Sequence, residues 1–198
     1  MRKLIMKMSI SIDGFVCGPQ GETDWVFKTG DPAAIDWQIE KFRALDMFIM
    51  GRKSFEVMAP YWPVATHPLA ATMNETPKGV FTQKGFSGIA DPGLKEADKG
   101  SPAAATWTKA RVFSGDLATE IRQLKEEDGK PICALGGAGF MQSLVATGLI
   151  DEFCLLTHPV ALGQGMPIFS ALGNRLYLKL ADVKTFASGA MVHVYHAI

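Results

Sequence analysis

The sequence predicts an α/β fold in which helices flank a mainly parallel β-sheet, with an antiparallel hairpin at the C-terminus. Short apolar strand patterns alternate with helical patterns along most of the chain, an order typical of parallel sheets whose strands are connected by helices. Strands such as 47–50 and 131–135 are largely apolar, as strands covered on both faces are. The last two strand patterns are separated only by Ala187-Ser188-Gly189, which predicts a hairpin turn.

The strands are predicted from period-two alternation or from short apolar runs. The first strand, residues 4–12, alternates large apolar residues with mostly polar ones until Asp13-Gly14 ends it. The later strands are expected at residues 47–50, 80–82, 112–113, 131–135 and 152–157, and the two hairpin strands at about 175–186 and 190–197.

The helices are predicted from apolar residues at helical spacing. The first follows the cap Asp31-Pro32 and carries Ile35, Ile39 and Phe42 on one side. The others are expected at residues 55–58, from 117 into the segment 126–129, and at 140–146. Residues 85–107 are rich in Gly, Ala, Pro, Asp and Lys, and predict a long excursion from this alternation.

Length and composition exclude several classes of protein. The 198 residues fit a single domain over residues 1–198. Lys plus Arg and Asp plus Glu are both 20 and no basic run occurs, so no nucleic-acid partner is expected. Neither a signal peptide nor a membrane span is recognisable, so we expect a cytoplasmic protein with no membrane partner. Cys17, Cys133 and Cys154 are not closely spaced, so neither a disulfide framework nor a metal site is predicted.

Two strand-to-helix junctions carry the residues expected where a nucleotide phosphate binds. They are Gly51-Arg52-Lys53-Ser54 and Gly136-Gly137-Ala138-Gly139. A helix N-terminus offers free N–H groups and a positive dipole end, and glycines leave room for the anion. Neither junction matches the Rossmann or the P-loop pattern. Each motif taken alone could equally be a tight turn.

The combination of motifs resembles the dihydrofolate reductase superfamily. The order and spacing of Ser11-Ile12-Asp13-Gly14, the segment 49–54 and the segment 135–139 are similar to that family. Leu149-Ile150-Asp151-Glu152, followed by the Pro-, Gly- and Phe-containing segment 159–169, resembles the C-terminal reductase domain of the riboflavin-biosynthesis deaminase-reductase. The resemblance covers the chain apart from about 85–107, and it implies a three-layer dihydrofolate-reductase-like fold.

The resemblance also implies NADPH as the cofactor and assigns a role to each motif. The phosphates would lie on Gly51, Arg52, Lys53 and Ser54, the adenosine ribose and its 2′-phosphate beside Thr82 and Gln83, and the pyrophosphate on Gly136, Gly137, Ala138 and Gly139. The loop 13–21 would close over nicotinamide and substrate. Gly139 stands where many folate reductases have an arginine that grips the 2′-phosphate, and Lys84 could replace that arginine.

Two catalytic residues are implied in the same way. Folate reductases pair a buried carboxylate on their first helix with a threonine in a later strand, and Asp36 and Thr157 are the nearest matches. Asp36 could instead be a first-turn aspartate favoured by the helix dipole.

The implied activity is hydride transfer from NADPH to a small molecule, either pterin-like or a ribosylaminopyrimidine of the 5-amino-6-ribosylaminouracil type. The alternative is a non-catalytic nucleotide- or ligand-binding protein that retains the fold. The resemblance further implies a homodimer formed through the C-terminal strands. Apolar residues that could form its surface, and could equally form core, are Leu176, Leu178, Leu180, Met191, Val192 and Val194.

Overall fold

An eight-stranded sheet forms the centre of the molecule. The computed structural model describes residues 1–83 and 93–198, with all their side chains except that of residue 97. Lys84 and residues 85–92 of the predicted excursion therefore lie outside the described residues. The strands are β1 (Leu4–Ser11), β2 (Phe15–Cys17), β3 (Met47–Gly51), β4 (Lys78–Phe81), β5 (Arg111–Phe113), β6 (Ile132–Leu135), β7 (Glu152–His158), β8 (Met166–Pro167), β9 (Leu178–Thr185) and β10 (Met191–Ala197).

The strand directions confirm the predicted fold. The sheet order is β5-β4-β3-β6-β1-β7-β10-β9, and the six strands from β5 to β7 are parallel to one another. β10 is antiparallel to both β7 and β9, and thus forms the C-terminal hairpin. β2 and β8 pair in a separate two-stranded sheet that the sequence did not predict.

Helices cover both faces of the sheet. They are α1 (Asp24–Lys28), α2 (Pro32–Phe42), α3 (Arg52–Tyr61), α4 (Ala70–Glu75), α5 (Glu96–Lys99), α6 (Ala105–Thr108), α7 (Leu117–Glu126) and α8 (Ala138–Ala146). α7 and α8 pack on one face, called here the α8 face, and α2, α3, α4 and α6 pack on the other, called the α2 face. Within the described ranges, no helix is both long enough and apolar enough to cross a membrane.

α3 is longer than the sequence predicts because its first turn carries no apolar residue. The helix begins at Arg52, directly after β3, whereas apolar spacing begins only at Phe55. Phe55 and Ala59 are the buried residues of α3, and Arg52 and Lys53 are exposed. Residues 52–54, which begin α3, are therefore accessible to solvent at the sheet edge.

The Asp151 carboxylate of the Leu-Ile-Asp-Glu motif holds three elements together. It accepts a hydrogen bond from the Leu4 amide at 2.7 Å and lies 2.7 Å from the Lys125 ammonium on α7. Lys125 is buried, and its ammonium also donates to the Leu149 carbonyl. The motif thus joins β1, α7 and the start of β7, which is a structural role.

Lys78, the first residue of β4, is a buried cation with no carboxylate partner among the described residues. Its side chain is 1% exposed, lies 4.4 Å from the Trp107 ring centroid, and donates to the Thr76 carbonyl and the Thr106 hydroxyl. Burial lowers the pKa of the Lys78 ammonium from 10.5 to about 7. The charged form is therefore disfavoured in the folded state.

We expect the stability of the protein to rise from pH 7 towards about pH 9 because of Lys78. In this window the unfolded chain keeps Lys78 protonated while the folded protein releases the proton, so unfolding takes up a proton. The free energy of unfolding should increase by up to about 1.4 kcal/mol per pH unit from this group. Urea unfolding at a series of pH values should show a smaller rise for Lys78→Met and an unchanged rise for the exposed-residue control Lys109→Met. Identical pH slopes for wild type and Lys78→Met would contradict the prediction.

The C-terminal hairpin leaves apolar residues uncovered at one edge of the sheet. Leu180 and Val183 on β9 are each 50% exposed. Val192 and Val194, by contrast, are buried in the core of the α2 face. These two valines are therefore core residues, and of the predicted surface residues Leu180 is the most exposed.

Candidate functional site

The two glycine-containing junctions meet at the C-terminal edge of the sheet. β3 and β6 are neighbouring parallel strands, so their C-terminal ends lie at the same edge. β3 runs through Gly51 into α3, and β6 runs through Gly136 and Gly137 into α8. Gly136 and Gly137 have φ of +63° and +75°, a left-handed conformation that favours glycine.

Both helices begin without a side-chain cap. Elsewhere in the described chain, Asp31 caps α2 by accepting from the Ala33 amide, and Asp116 caps α7 by accepting from the Thr119 amide. α3 and α8 begin at glycines instead, and within residues 1–83 and 93–198 neither helix has a side-chain cap. Since the first amides of a helix have no partner within the helix, both N-termini are open to an anion.

The first turn of α3 is in contact with the glycine turn before α8. A Cβ added to Gly137 would lie 2.6 Å from the Ser54 hydroxyl oxygen, and one added to Gly51 would lie 2.9 Å from Cβ of Phe140 on α8. The two junctions, which are far apart in sequence, therefore form one surface. Ala138 and Gly139 begin α8 on this surface, and a Cβ at Gly139 would meet no atom within 4 Å.

The remaining predicted cofactor residues lie at the same edge but are less enclosed. Arg52 and Lys53 are exposed, and the Arg52 guanidinium is 3.2 Å from the Glu56 carboxylate one turn along α3. Thr82 follows β4 directly, and its amide donates to the Phe113 carbonyl, whereas Gln83 is exposed. The structure thus brings Ser54 against Gly136 and Gly137, and Gly51 against Phe140 of α8, while Arg52 pairs with Glu56 at the exposed rim.

We expect Arg52→Ala to weaken NADPH binding by about 10-fold. A hydrogen bond to a charged group contributes about 1.5–3 kcal/mol, or roughly 10- to 150-fold in affinity. The lower end applies because Glu56 competes for the guanidinium. Calorimetry should show this loss, and the control Glu56→Gln, which releases Arg52, should bind at least as tightly as wild type. Equal affinity of wild type and Arg52→Ala would remove Arg52 from the site.

The predicted pairing of Asp36 with Thr157 is wrong in its geometry. Asp36 is exposed on α2, which covers the α2 face. Thr157 follows Phe153 and Leu155 at every second position of β7, so its side chain faces the α8 side of the sheet, where its hydroxyl lies 3.4 Å from Nδ1 of His193. Asp36 is the fifth residue of α2 and lies beyond its first turn, so the alternative of a first-turn aspartate favoured by the helix dipole is also wrong. Asp36 is exposed and does not match the buried carboxylate of the family pattern.

Asp13 of the Ser-Ile-Asp-Gly motif ties the loop after β1 to the loop after β7. Its carboxylate accepts from the Ser11 hydroxyl at 2.5 Å and from the Leu162 and Gly163 amides at 3.0 and 2.7 Å. The Ser11 hydroxyl, followed by the Gly163 amide, lowers the pKa of Asp13. The Asp13 carboxylate therefore fixes the base of the loop 13–21 to the loop after β7. The resemblance places the loop 13–21 over the nicotinamide.

Lys7 is a residue that the sequence-based prediction of the site missed. β1 places Leu4, Met6 and Met8 on the α8 face, so the Lys7 side chain lies on the α2 face of the sheet. It pairs with Leu135, the residue before the glycine turn, and with Cys154 on β7. Its ammonium has no hydrogen bond or ion pair with any residue in the described ranges, and burial lowers its pKa.

The residues at this edge fit NADPH. The open amides of α3 and α8 and the Ser54 hydroxyl can bind phosphate oxygens, and Arg52 and Lys53 can add charge at the rim. The space beside Gly137 is one that a Cβ would fill. Lys7 lies on β1, the neighbour of β6 in the sheet.

Comparison with known proteins gives the family. The model of the RibD C-terminal domain family matches residues 2–192, so the chain belongs to that family. It is 32% identical to uncharacterized protein YyaP of Bacillus subtilis (strain 168) over 195 residues, covering 98% of this chain and 95% of YyaP.

Solved structures share the fold. A putative riboflavin biosynthesis protein from Shewanella sp. PV-4 superposes with a TM-score of 0.74 at 20% identity, covering 99% of both chains. Dihydrofolate reductase from Enterococcus faecalis, in complex with NADP(H), superposes with a TM-score of 0.54 at 14% identity, covering 98% of this chain and 96% of that one. The predicted dihydrofolate-reductase-like fold and RibD resemblance are confirmed.

Proposed function

We propose that this protein is an NADPH-dependent reductase of a small ring-containing substrate, pterin-like or of the ribosylaminopyrimidine type. The observation that carries the proposal is the joint surface of two uncapped helix N-termini, with the Gly136-Gly137 turn against Ser54 and the unpaired Lys7 one strand away. Family membership supports a reductase. When bound, NADPH supplies the hydride.

The residues of this chain would bind and orient the reactants, stabilise the charge that develops on the substrate, and supply a proton. Ser54 and the amides of α3 and α8 would hold the phosphates, and the loop held by Asp13 would keep water from the reacting atoms. Lys7 would stabilise negative charge that develops on the substrate, and its Nζ could supply a proton there. A lysine suits both roles because a lowered pKa makes its proton easier to release.

The proposal is tested by binding first and turnover second. Calorimetry should show NADPH binding to the purified protein, with NADH weaker. Oxidation of NADPH, followed by its absorbance, should then accelerate with a member of a panel of pterins and ribosylaminopyrimidines. Binding without turnover across the panel would favour the non-catalytic alternative, and absence of NADPH binding would overturn the proposal.

We also propose that the protein is a homodimer joined through β9. The exposed Leu180 and Val183 lie on this edge strand, where uncovered apolar residues invite pairing. Light scattering at micromolar concentration should give twice the chain mass of 21.4 kDa for the wild type. The double variant Leu180→Glu, Val183→Glu should give the monomer mass, while Val112→Glu, on the opposite edge strand, should remain a dimer. A wild-type mass of one chain would refute the dimer.

A further inference from the structure

Two buried ring nitrogens without partners lie in neighbouring side chains beside the end of β1. Among the described residues, the buried side-chain polar atoms with no hydrogen bond are Nε1 of Trp25, Nε1 of Trp62 and Nε2 of His158. Trp25 and His158 are in edge contact, with ring centroids 5.3 Å apart. Trp25 is 5% exposed and His158 2% exposed. Unpaired buried polar atoms are rare in native proteins and need an explanation.

His158 stands on the same side of the sheet as Lys7. Along β7, Cys154 and Leu156 belong to the core of the α2 face, so His158 shares that face while Thr157 points away. Its strand position is paired with Ser11 at the end of β1. Of the adjacent Thr157 and His158, it is therefore the histidine that faces the side where Lys7 lies.

The contacts of Thr29 define which ring nitrogen of His158 carries the proton. The Thr29 hydroxyl lies 2.7 Å from the Trp25 carbonyl and 2.7 Å from Nδ1 of His158. Since a carbonyl can only accept, the single hydroxyl proton goes to Trp25, and Nδ1–H of His158 must donate to the hydroxyl oxygen. Burial, with Lys7 as the second cause, lowers the pKa of His158 to about 4 and keeps the ring neutral. Nε2 is then a bare acceptor.

The two unpaired atoms therefore have opposite hydrogen-bonding character. The Trp25 indole can only donate and His158 Nε2 can only accept. Trp25 also lines a cavity of about 300 Å³, between the segment 18–24 and the loop at Leu162 and Gln164. His158 is not among the residues that line this cavity and lies behind Trp25, in edge contact with it. The second of these loops is the one held by Asp13. A ligand that entered here would lie under the loop 13–21.

We propose that Trp25 and His158 are specificity-determining residues that recognise a heterocycle through an amide edge, –NH–C(=O)–, as in a pyrimidinone ring. The ring carbonyl would accept from the Trp25 indole, and the adjacent ring N–H would donate to His158 Nε2. The inference rests on the proposed function for its placement beside the hydride donor. Pterins and aminouracils both carry this edge, so the inference assigns its recognition to Trp25 and His158. The third unpaired atom, Nε1 of Trp62, has no unpaired acceptor beside it to form a similar donor–acceptor pair. Its neighbour is His67, whose Nδ1 already accepts from the Leu69 amide.

The test uses lumazine, a fluorescent pteridine-dione with this edge, and 1,3-dimethyllumazine, in which both ring N–H groups are blocked. Wild-type protein saturated with NADPH should bind lumazine about 10-fold or more tightly than the dimethyl compound, as measured by fluorescence titration. His158→Phe and Trp25→Phe keep an aromatic ring and remove one hydrogen-bonding atom each, so both should reduce this ratio to about one. His67→Phe, in the other Trp–His edge pair, should retain the wild-type ratio.

Three outcomes are informative. Equal binding of the two compounds by wild type, or a full ratio in both Phe variants, overturns the inference. Lowered melting temperatures with unchanged ratios mean that a buried water satisfies the two atoms and that they are structural. Because NADPH affinity is measured on the same proteins, failure of the proposed function would appear separately, as absent NADPH binding while lumazine discrimination persists without the cofactor.

Discussion

Replacing Gly137 by valine should abolish NADPH binding while the protein remains folded. The φ of +75° at Gly137 would strain any residue with a Cβ by about 1–2 kcal/mol, and the Cβ would lie 2.6 Å from the Ser54 oxygen. The valine would displace Ser54 and occupy the space between the two helix N-termini. We expect a loss of affinity of at least about 100-fold and a melting temperature lower by about 2–8 °C. Calorimetry and thermal melts with and without NADPH measure both effects.

The matched control for this variant is Gly148→Ala. Gly148 follows the other end of α8, has φ of +68°, and a Cβ there would meet no atom within 4 Å. Its substitution therefore introduces backbone strain alone. It should lower the melting temperature to a similar degree and leave NADPH binding unchanged. If Gly137→Val melts lower yet gains the full stabilisation from NADPH, Gly137 is only a turn residue and the pyrophosphate lies elsewhere.

Replacing Lys7 by methionine should abolish most of the turnover and make the protein more stable. Lys7 lies on the α2 face without a hydrogen-bond or ion-pair partner in the described chain, and burial lowers its pKa, so its charge is unfavourable for folding. Methionine has a similar shape and removes that charge. If Lys7 stabilises charge on the substrate, kcat should fall by about 100- to 1,000-fold. Turnover assays and thermal melts at pH 7 measure the two changes.

Lys3→Met is the control, because Lys3 lies on the same segment but its side chain is 58% exposed. It should leave both turnover and melting temperature near wild type. A Lys7→Met protein that loses stability and keeps its kcat would show that Lys7 supports the fold and has no part in the reaction. NADPH affinity should be unchanged in either case, since Lys7 is not placed on the phosphates.

The sequence predicted the fold and the two strand–glycine–helix junctions because both depend on local patterns. Strand, glycine turn and helix N-terminus follow one another within a few residues at Gly51 and at Gly137, so the junctions are visible without knowing the sheet order. That β3 and β6 are neighbours is a long-range property, and only the structure brings Ser54 against the glycine turn. The contacts of Gly51, Ser54, Gly136 and Gly137 agree with a joint site, and their binding of NADPH stays a prediction.

The interior of the site could not be predicted as well, because alternation alone does not show which face a polar residue occupies. Thr157 and His158 are adjacent, so an error of one residue exchanges the two faces of the sheet, as the expectation for Thr157 illustrates. Lys7 did carry a signal. A lysine in the middle of a central parallel strand is unexpected where both faces are covered, and that incompatibility could have marked it as functional.

The position of β1 has a consequence for the synthesis of the protein. Its sheet neighbours are β6 and β7, and the Leu4 amide finds its acceptor, Asp151, 147 residues later in the chain. At about 5–20 residues per second, translation leaves this apolar strand without its full set of partners for roughly 7–30 s. During that time, the emerging chain carries an unpaired strand of Leu4, Met6 and Met8, a segment prone to association with other chains. Ribosome-bound chains that stop before residue 152 should therefore depend on chaperones far more than chains that extend past residue 158.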